Sequence, residues 1–83
     1  MDPLFYLKPD NKKLNTFFQS FSMTERDRLS LNLLNVDTIW IDESEKSWRV
    51  DYLCPVPVST ELLELLTNGI KKDFHLTYLI WEK

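Results

Sequence analysis

Apolar positions change their spacing along this chain, and each change marks an element. Leu14, Phe17, Phe18 and Phe21 recur at i, i+3, i+4 and i+7, one face of a helix, and Asp10 just ahead of them is a residue type that accepts from the first free N–H groups. The spacing predicts a helix over 11–21. Thr24 with Asp27 three positions on imitates a capping box, and Leu29 and Leu33 stack four apart, so a second helix is expected to about residue 35. The same "LSLNLL" run also alternates as a strand would.

From Val36 the period becomes two. Ile39 and Ile41 face one way and Thr38 and Trp40 the other. After the polar loop "DESEK" a second strand answers, with Trp48, Val50, Tyr52 and Cys54 on one face and Arg49 and Asp51 on the other. Pro55 and Pro57, which have no N–H to donate, end it. Ser59 or Thr60 then caps a helix with Glu61 in its first turn and Lys71 and Lys72 in its last, charges that suit the helix dipole. Leu62, Leu63, Leu66, Ile70 and Phe74 form its buried stripe, and "HLTYLIWEK" closes as a strand.

The expected fold is therefore a small two-layer α+β domain in the order α-α-β-β-α-β with a three-stranded sheet. Its core would hold Phe17, Phe21, Ile39, Ile41, Trp48, Val50, Tyr52, Leu62, Leu66 and Ile70. Trp48 is read as a core anchor rather than a ligand-stacking ring, because so small a core needs its apolar area. Residues 1–9 read as a leader and about 10–82 as one folded unit.

Composition supports a folded chain: 43% hydrophobic and 28% charged over 83 residues is outside the regime of disorder, and 83 residues suffice for one core. Thirteen acids against ten bases give a net charge of −3, with no basic run longer than two, which argues against a strong, sequence-independent grip on phosphates. A single cysteine, Cys54, excludes an internal disulfide and fits a reducing compartment. "MDPLFYLKP" has neither the basic start nor the apolar length of a signal peptide or a span, so a cytoplasmic location is expected.

Catalytic chemistry finds little support. His75 is the only histidine and has no obvious companion; a pairing with Cys54 is conceivable only if the fold brings two distant segments together. Asp42, Glu43 and Glu45 lack the spacing of a calcium loop and read as a solvated turn. Gly69 is the only glycine, so a glycine-rich phosphate loop is impossible; its place in "TNGIKK" suggests a helix break, a C-cap or a weakened last turn. No catalytic, metal or cofactor-binding residue is assigned.

A surface signal survives. If Ile39 and Trp48 face the helices, the other sheet face carries Trp40, Arg49 and Leu53, with Leu79 and Trp81 as further candidates, and tryptophan with arginine is typical of interface hot spots. Two readings stand: this face docks a partner, or Leu4 to Leu7 folds back over it.

The pattern Val36, Ile39, Ile41, then Lys46-Ser47-Trp48, Val50 and Tyr52, followed by a proline-marked break and an amphipathic helix, resembles the N-terminal domain of the Gram-positive, PolC-type α subunit of DNA polymerase III. The resemblance spans about residues 11–82. The leader is longer than that family's usual start, and Val50 stands where the family often has an aromatic residue. The resemblance implies an excised domain of a much longer DNA-directed DNA polymerase with 3′–5′ exonuclease activity, itself non-catalytic and similar to a truncated type II KH fold. It further implies a protein contact within the replisome, with the clamp-loader τ subunit as first candidate, for a domain monomeric in isolation. The alternative is a KH-like binder of single-stranded nucleic acid, in which Arg49, Lys71, Lys72, Trp40 and Trp81 form a stacking platform; the GxxG loop of such domains is missing.

Overall fold

The computed structural model describes residues 4–83, in the order β1 (Leu4–Leu7), α1 (Asn11–Gln19), α2 (Glu25–Leu33), β2 (Asn35–Asp42), β3 (Ser47–Leu53), α3 (Thr60–Phe74) and β4 (Tyr78–Glu82). Residues 1–3 of the expected leader lie outside the described residues. The chain forms a small α+β domain with three helices and a mixed sheet ordered β1-β2-β3-β4. β1/β2 and β2/β3 are antiparallel; β3 and β4 are parallel, joined across the sheet by α3.

The sheet thus has four strands where the alternation pattern gave three. The fourth is β1, which pairs edge-on with β2, Tyr6 opposite Trp40 and Leu7 opposite Ile39, instead of folding over a sheet face. A four-residue strand has no stability of its own. It exists here because β2 offers it a ladder.

The helices start where their caps dictate. Asp10 accepts from the N–H groups of Lys12 and Lys13, Thr24 from that of Asp27, and Ser59 from that of Leu62, each satisfying donors a helix end leaves free. Ser59 Oγ also donates to Asp27 Oδ1 at 3.1 Å, tying α3's start to α2. At the end of α1, two residues short of the expected stop, Arg28 donates to the carbonyls of Gln19 and Phe21.

β2 contains a bulge that periodicity did not announce. Val36 pairs with Tyr52 and Thr38 with Asp51, leaving Asp37 as the extra residue, so Val36 and Ile39 both face the helices although three positions separate them. The amide of Asn11 completes this irregular stretch: Nδ2 donates to the Val36 carbonyl at 2.8 Å, and Oδ1 accepts from the Val36 N–H at 2.7 Å. The side chain stands in for a neighbouring strand and fastens α1 to β2.

Two apolar clusters make the core. One joins Leu34, Val36, Ile39, Val50, Tyr52 and Cys54 on the sheet; the other joins Phe18 and Leu31 of α1 and α2 with Leu62, Leu66 and Ile70 of α3. Leu14, Trp48, Val58, Leu79 and Trp81 touch both. Phe17, Phe21, Ile41 and Trp48, expected in the core, are half-buried at its margins, and Phe74 leaves the expected stripe to rest on Trp48, ring centres 4.8 Å apart, while staying exposed.

Gly69 neither breaks nor caps α3. It lies inside the helix with the Phe21 ring seated against it: a Cβ built there would come within 2.3 Å of Phe21 Cζ. His75 takes the left-handed C-cap role, at φ 56°.

Candidate functional site

All three helices pack on one side of the sheet. The other side is open, and strand alternation decides what it shows. On β2 and β3 it presents Trp40 opposite Arg49, and Leu53 at the strand's end with 62% of its surface exposed, as expected. On β4 the phase is the reverse of the expected one. Leu79 and Trp81 turn to the helices, while Tyr78 and Ile80, opposite Ser47 and Arg49, face outward. Polar and apolar contacts hold that phase: the Trp81 indole N–H donates to Thr67 Oγ1 of α3 at 2.7 Å, its ring meets Tyr52 edge-on at 5.7 Å, and Leu79 and Trp81 pack on both apolar clusters. A half-buried indole is best placed where its N–H meets an acceptor.

The centre of the open face is pre-assembled. The Tyr6 ring of β1 lies 5.1 Å from the Trp40 ring, centre to centre, and the Arg49 guanidinium sits over the Trp40 ring, also 5.1 Å from its centre. Asp51 fixes both neighbours: Oδ2 accepts from the Trp40 indole at 2.8 Å, and Oδ1 pairs with Arg49 Nε at 3.3 Å. Each contact is modest, about 0.5–1 kcal/mol for an exposed cation–π pair. Their joint effect is orientation, since two bulky side chains lose their rotamer freedom before any partner arrives.

Tyr6, Tyr78 and Ile80 therefore join this site although strand alternation did not assign them to it, and Asp51, which alternation had set on the same face as Arg49, joins it as the residue that orients Trp40 and Arg49. For Tyr78 and Ile80 a signal existed, being the alternate phase of the same apolar run. For Tyr6 there was none, because its role depends on pairing with a strand more than thirty positions away.

The stacking platform expected of a nucleic-acid binder is not assembled. Trp40 and Arg49 are on the open face, Trp81 is on the helix side, and Lys71 and Lys72 sit in the last turn of α3. Arg49 also has its charge matched by Asp51.

A second surface lies on the helix side. α1 is only nine residues long, about 13 Å, whereas the eight residues of β2 reach about 26 Å, so α1 covers only part of β2, while the end of α3 reaches Trp48 through Phe74. The shortfall leaves an apolar groove of about 520 Å³ floored by Ile41, Trp48 and Val50 and walled by Leu14, Phe17 and Phe74.

The titratable groups elsewhere are structural. Asp42 Oδ1 accepts from the Ser44 hydroxyl at 2.7 Å and from the N–H groups of Ser44 and Glu45 at 3.0 and 3.1 Å, closing the turn before β3. The Ser44 hydroxyl first, and then the Glu45 N–H, hold its pKa below the ordinary 3.8. Cys54 is buried with Sγ 3.8 Å from the Ser30 carbonyl, and His75 is an exposed helix cap, so the conceivable Cys–His pairing has no support. Among the described residues no three His, Cys, Asp or Glu side chains gather as a metal site, and no helix is long and apolar enough to cross a membrane.

Compared with known proteins, the chain matches no family model, no curated protein and no solved structure.

Proposed function

We propose that this chain is a non-catalytic docking domain from a PolC-type α subunit of DNA polymerase III, tethering the polymerase to another replisome protein, with the clamp-loader τ subunit as the first partner to test. The observation that carries the docking reading is the Tyr6–Trp40–Arg49 stack, locked by Asp51 on an uncovered sheet face and bordered by Leu53, Tyr78 and Ile80. Rigid aromatic and arginine anchors with a surrounding apolar rim are what protein hot spots are made of.

The replisome assignment rests on the resemblance of the hairpin pattern around Lys46-Ser47-Trp48. The connectivity β2-β3-α3-β4 supports it, because a single helix between parallel strands is compatible with a truncated type II KH arrangement. A cytoplasmic location belongs to the same reading.

A chemical-shift titration of the isotopically labelled chain with τ, and in parallel with short single-stranded DNA at moderate salt, tests it. Shifts with τ centred on Trp40 and Arg49, abolished by Trp40→Ala, are the expected result. Shifts with DNA alone would replace the proposal by the KH-like nucleic-acid reading, for which the Tyr6–Trp40 pair is the stacking element.

A further inference from the structure

β4 ends the sheet, so the backbone groups along its outer side have no ladder partner among the described residues. Edge strands are ordinarily blunted by lysine, proline or a bulge. β1, the other edge, is followed at once by Lys8 and Pro9; β4 is followed by Lys83 and ends on Glu82, but Tyr78-Leu79-Ile80-Trp81 is an unbroken apolar run with no proline and no bulge. We propose that β4 is a dimerisation edge at which a second copy of this chain pairs antiparallel, about a two-fold axis through Ile80.

Parity sets the register. Residues directly opposite in an antiparallel ladder share a face, so the axis must pass through a residue rather than between two, or open-face and helix-face side chains would be mixed. An axis at Leu79 leaves Glu82 beyond the paired stretch, and an axis at Trp81 sets Ile80 against the Glu82 carboxylate. Centred on Ile80, the strand is complementary to itself. Ile80 meets its own copy and Tyr78 meets Glu82 on the open face, while Leu79 meets Trp81 on the helix face.

Glu82 supplies the polar reason. It pairs with Asp51 in the ladder to β3, whose carboxylate is already taken by Trp40 and Arg49, and its own side chain has no hydrogen-bond or ion-pair partner among the described residues. In the dimer the Tyr78 hydroxyl of the second copy donates to it, twice by symmetry. A five-residue edge is small beside a standard interface, so the dissociation constant is expected at roughly 0.1 mM. The chain is then monomeric at low micromolar concentration, in keeping with its sequence expectation. The replisome reading is not needed for this pairing.

Sedimentation equilibrium of the 83-residue chain between about 20 μM and about 1 mM is the first test. The mass should rise from 10.0 kDa toward twice that value, and Ile80→Lys, at a position 46% exposed, should remain folded and monomeric. Disulfide trapping reads the register, with the buried Cys54 silent. Ile80→Cys should give a covalent dimer on mild oxidation. Tyr78→Cys alone should not, since four residues of strand place its two copies about 14 Å apart, beyond disulfide reach, yet it should cross-link when mixed with Glu82→Cys. A mass fixed at 10.0 kDa, an Ile80→Lys chain that still associates, or equal trapping at Ile80 and Tyr78 would each overturn the proposal.

Discussion

Replacing Gly69 by alanine sets two effects of opposite sign against each other, and the Phe21 ring decides between them. In an ordinary helix interior the change gains about 1 kcal/mol, because glycine gives up more backbone freedom on folding. Here the new Cβ would lie 2.3 and 2.6 Å from Phe21 Cζ and Cε2. Carbon atoms rest at about 3.5–4.0 Å, so the ring must retreat by more than about 1 Å. It has little room, being braced by Phe17 at 5.2 Å and Phe18 at 6.2 Å between ring centres. Overpacking of this kind costs about 1–3 kcal/mol.

The expected net change is therefore a loss of about 1 kcal/mol, roughly 4–8 °C in Tm for a domain of this size. With Phe21→Ala as the background the clash is absent, and the same substitution should stabilise by about 1 kcal/mol, a coupling of about 2 kcal/mol between the two positions. Urea unfolding of the four chains followed by tryptophan fluorescence measures it. If Gly69→Ala stabilises both backgrounds equally, Phe21 does not rest on Gly69 and the packing of α1 against α3 is wrongly described.

Trp48→Ala should cost about 2–3 kcal/mol, less than a fully buried tryptophan, because the ring is half-buried against Phe74 at the groove; a loss below about 0.5 kcal/mol in urea unfolding would remove it from the core. Asn11→Ala leaves both backbone groups of Val36 without their side-chain partners and should cost about 1–3 kcal/mol, with amide exchange at Val36 accelerated; unchanged exchange would show that Asn11 does not hold the bulge. Asp42 has a depressed folded pKa, so its contribution is fully present above the unfolded value and is lost as pH falls through the lower folded one; carboxyl NMR should find its midpoint below 3.8, and Ser44→Ala should raise it.

The elements that could be read from sequence are those whose determinants are local. The Asp10, Thr24 and Ser59 caps, the helical face of Leu14, Phe17 and Phe18, and the shared face of Ile39 and Ile41 on one strand and of Trp48 and Val50 on the next all follow from short-range spacing. The same spacing placed Trp40, Arg49 and Leu53 on the open face. What escaped was set by distant partners. "LFYL" is a strand only beside Trp40 and Ile41. "YLIW" is apolar at every position, so its alternation names no face until Thr67 receives the Trp81 indole. Gly69 is silent about its purpose without Phe21, which belongs to another helix's end. Asp37 looks like any polar strand residue, and only the three-position gap between Val36 and Ile39 hints that it is extra.

The bulge at Asp37 also governs how β2 can be misaligned. A regular hairpin that slides by two residues keeps every side chain on its proper face, so the hydrophobic pattern alone guards poorly against that error. In β2 a slide would carry Val36 away from the Asn11 amide, exposing an unpaired N–H and C=O in the half-buried seam between α1 and the sheet. The irregular residue thus acts as an alignment key. Strand and helix close together in one position, and the Trp40–Arg49 pairing on the opposite face inherits its accuracy from a contact on the far side of the sheet.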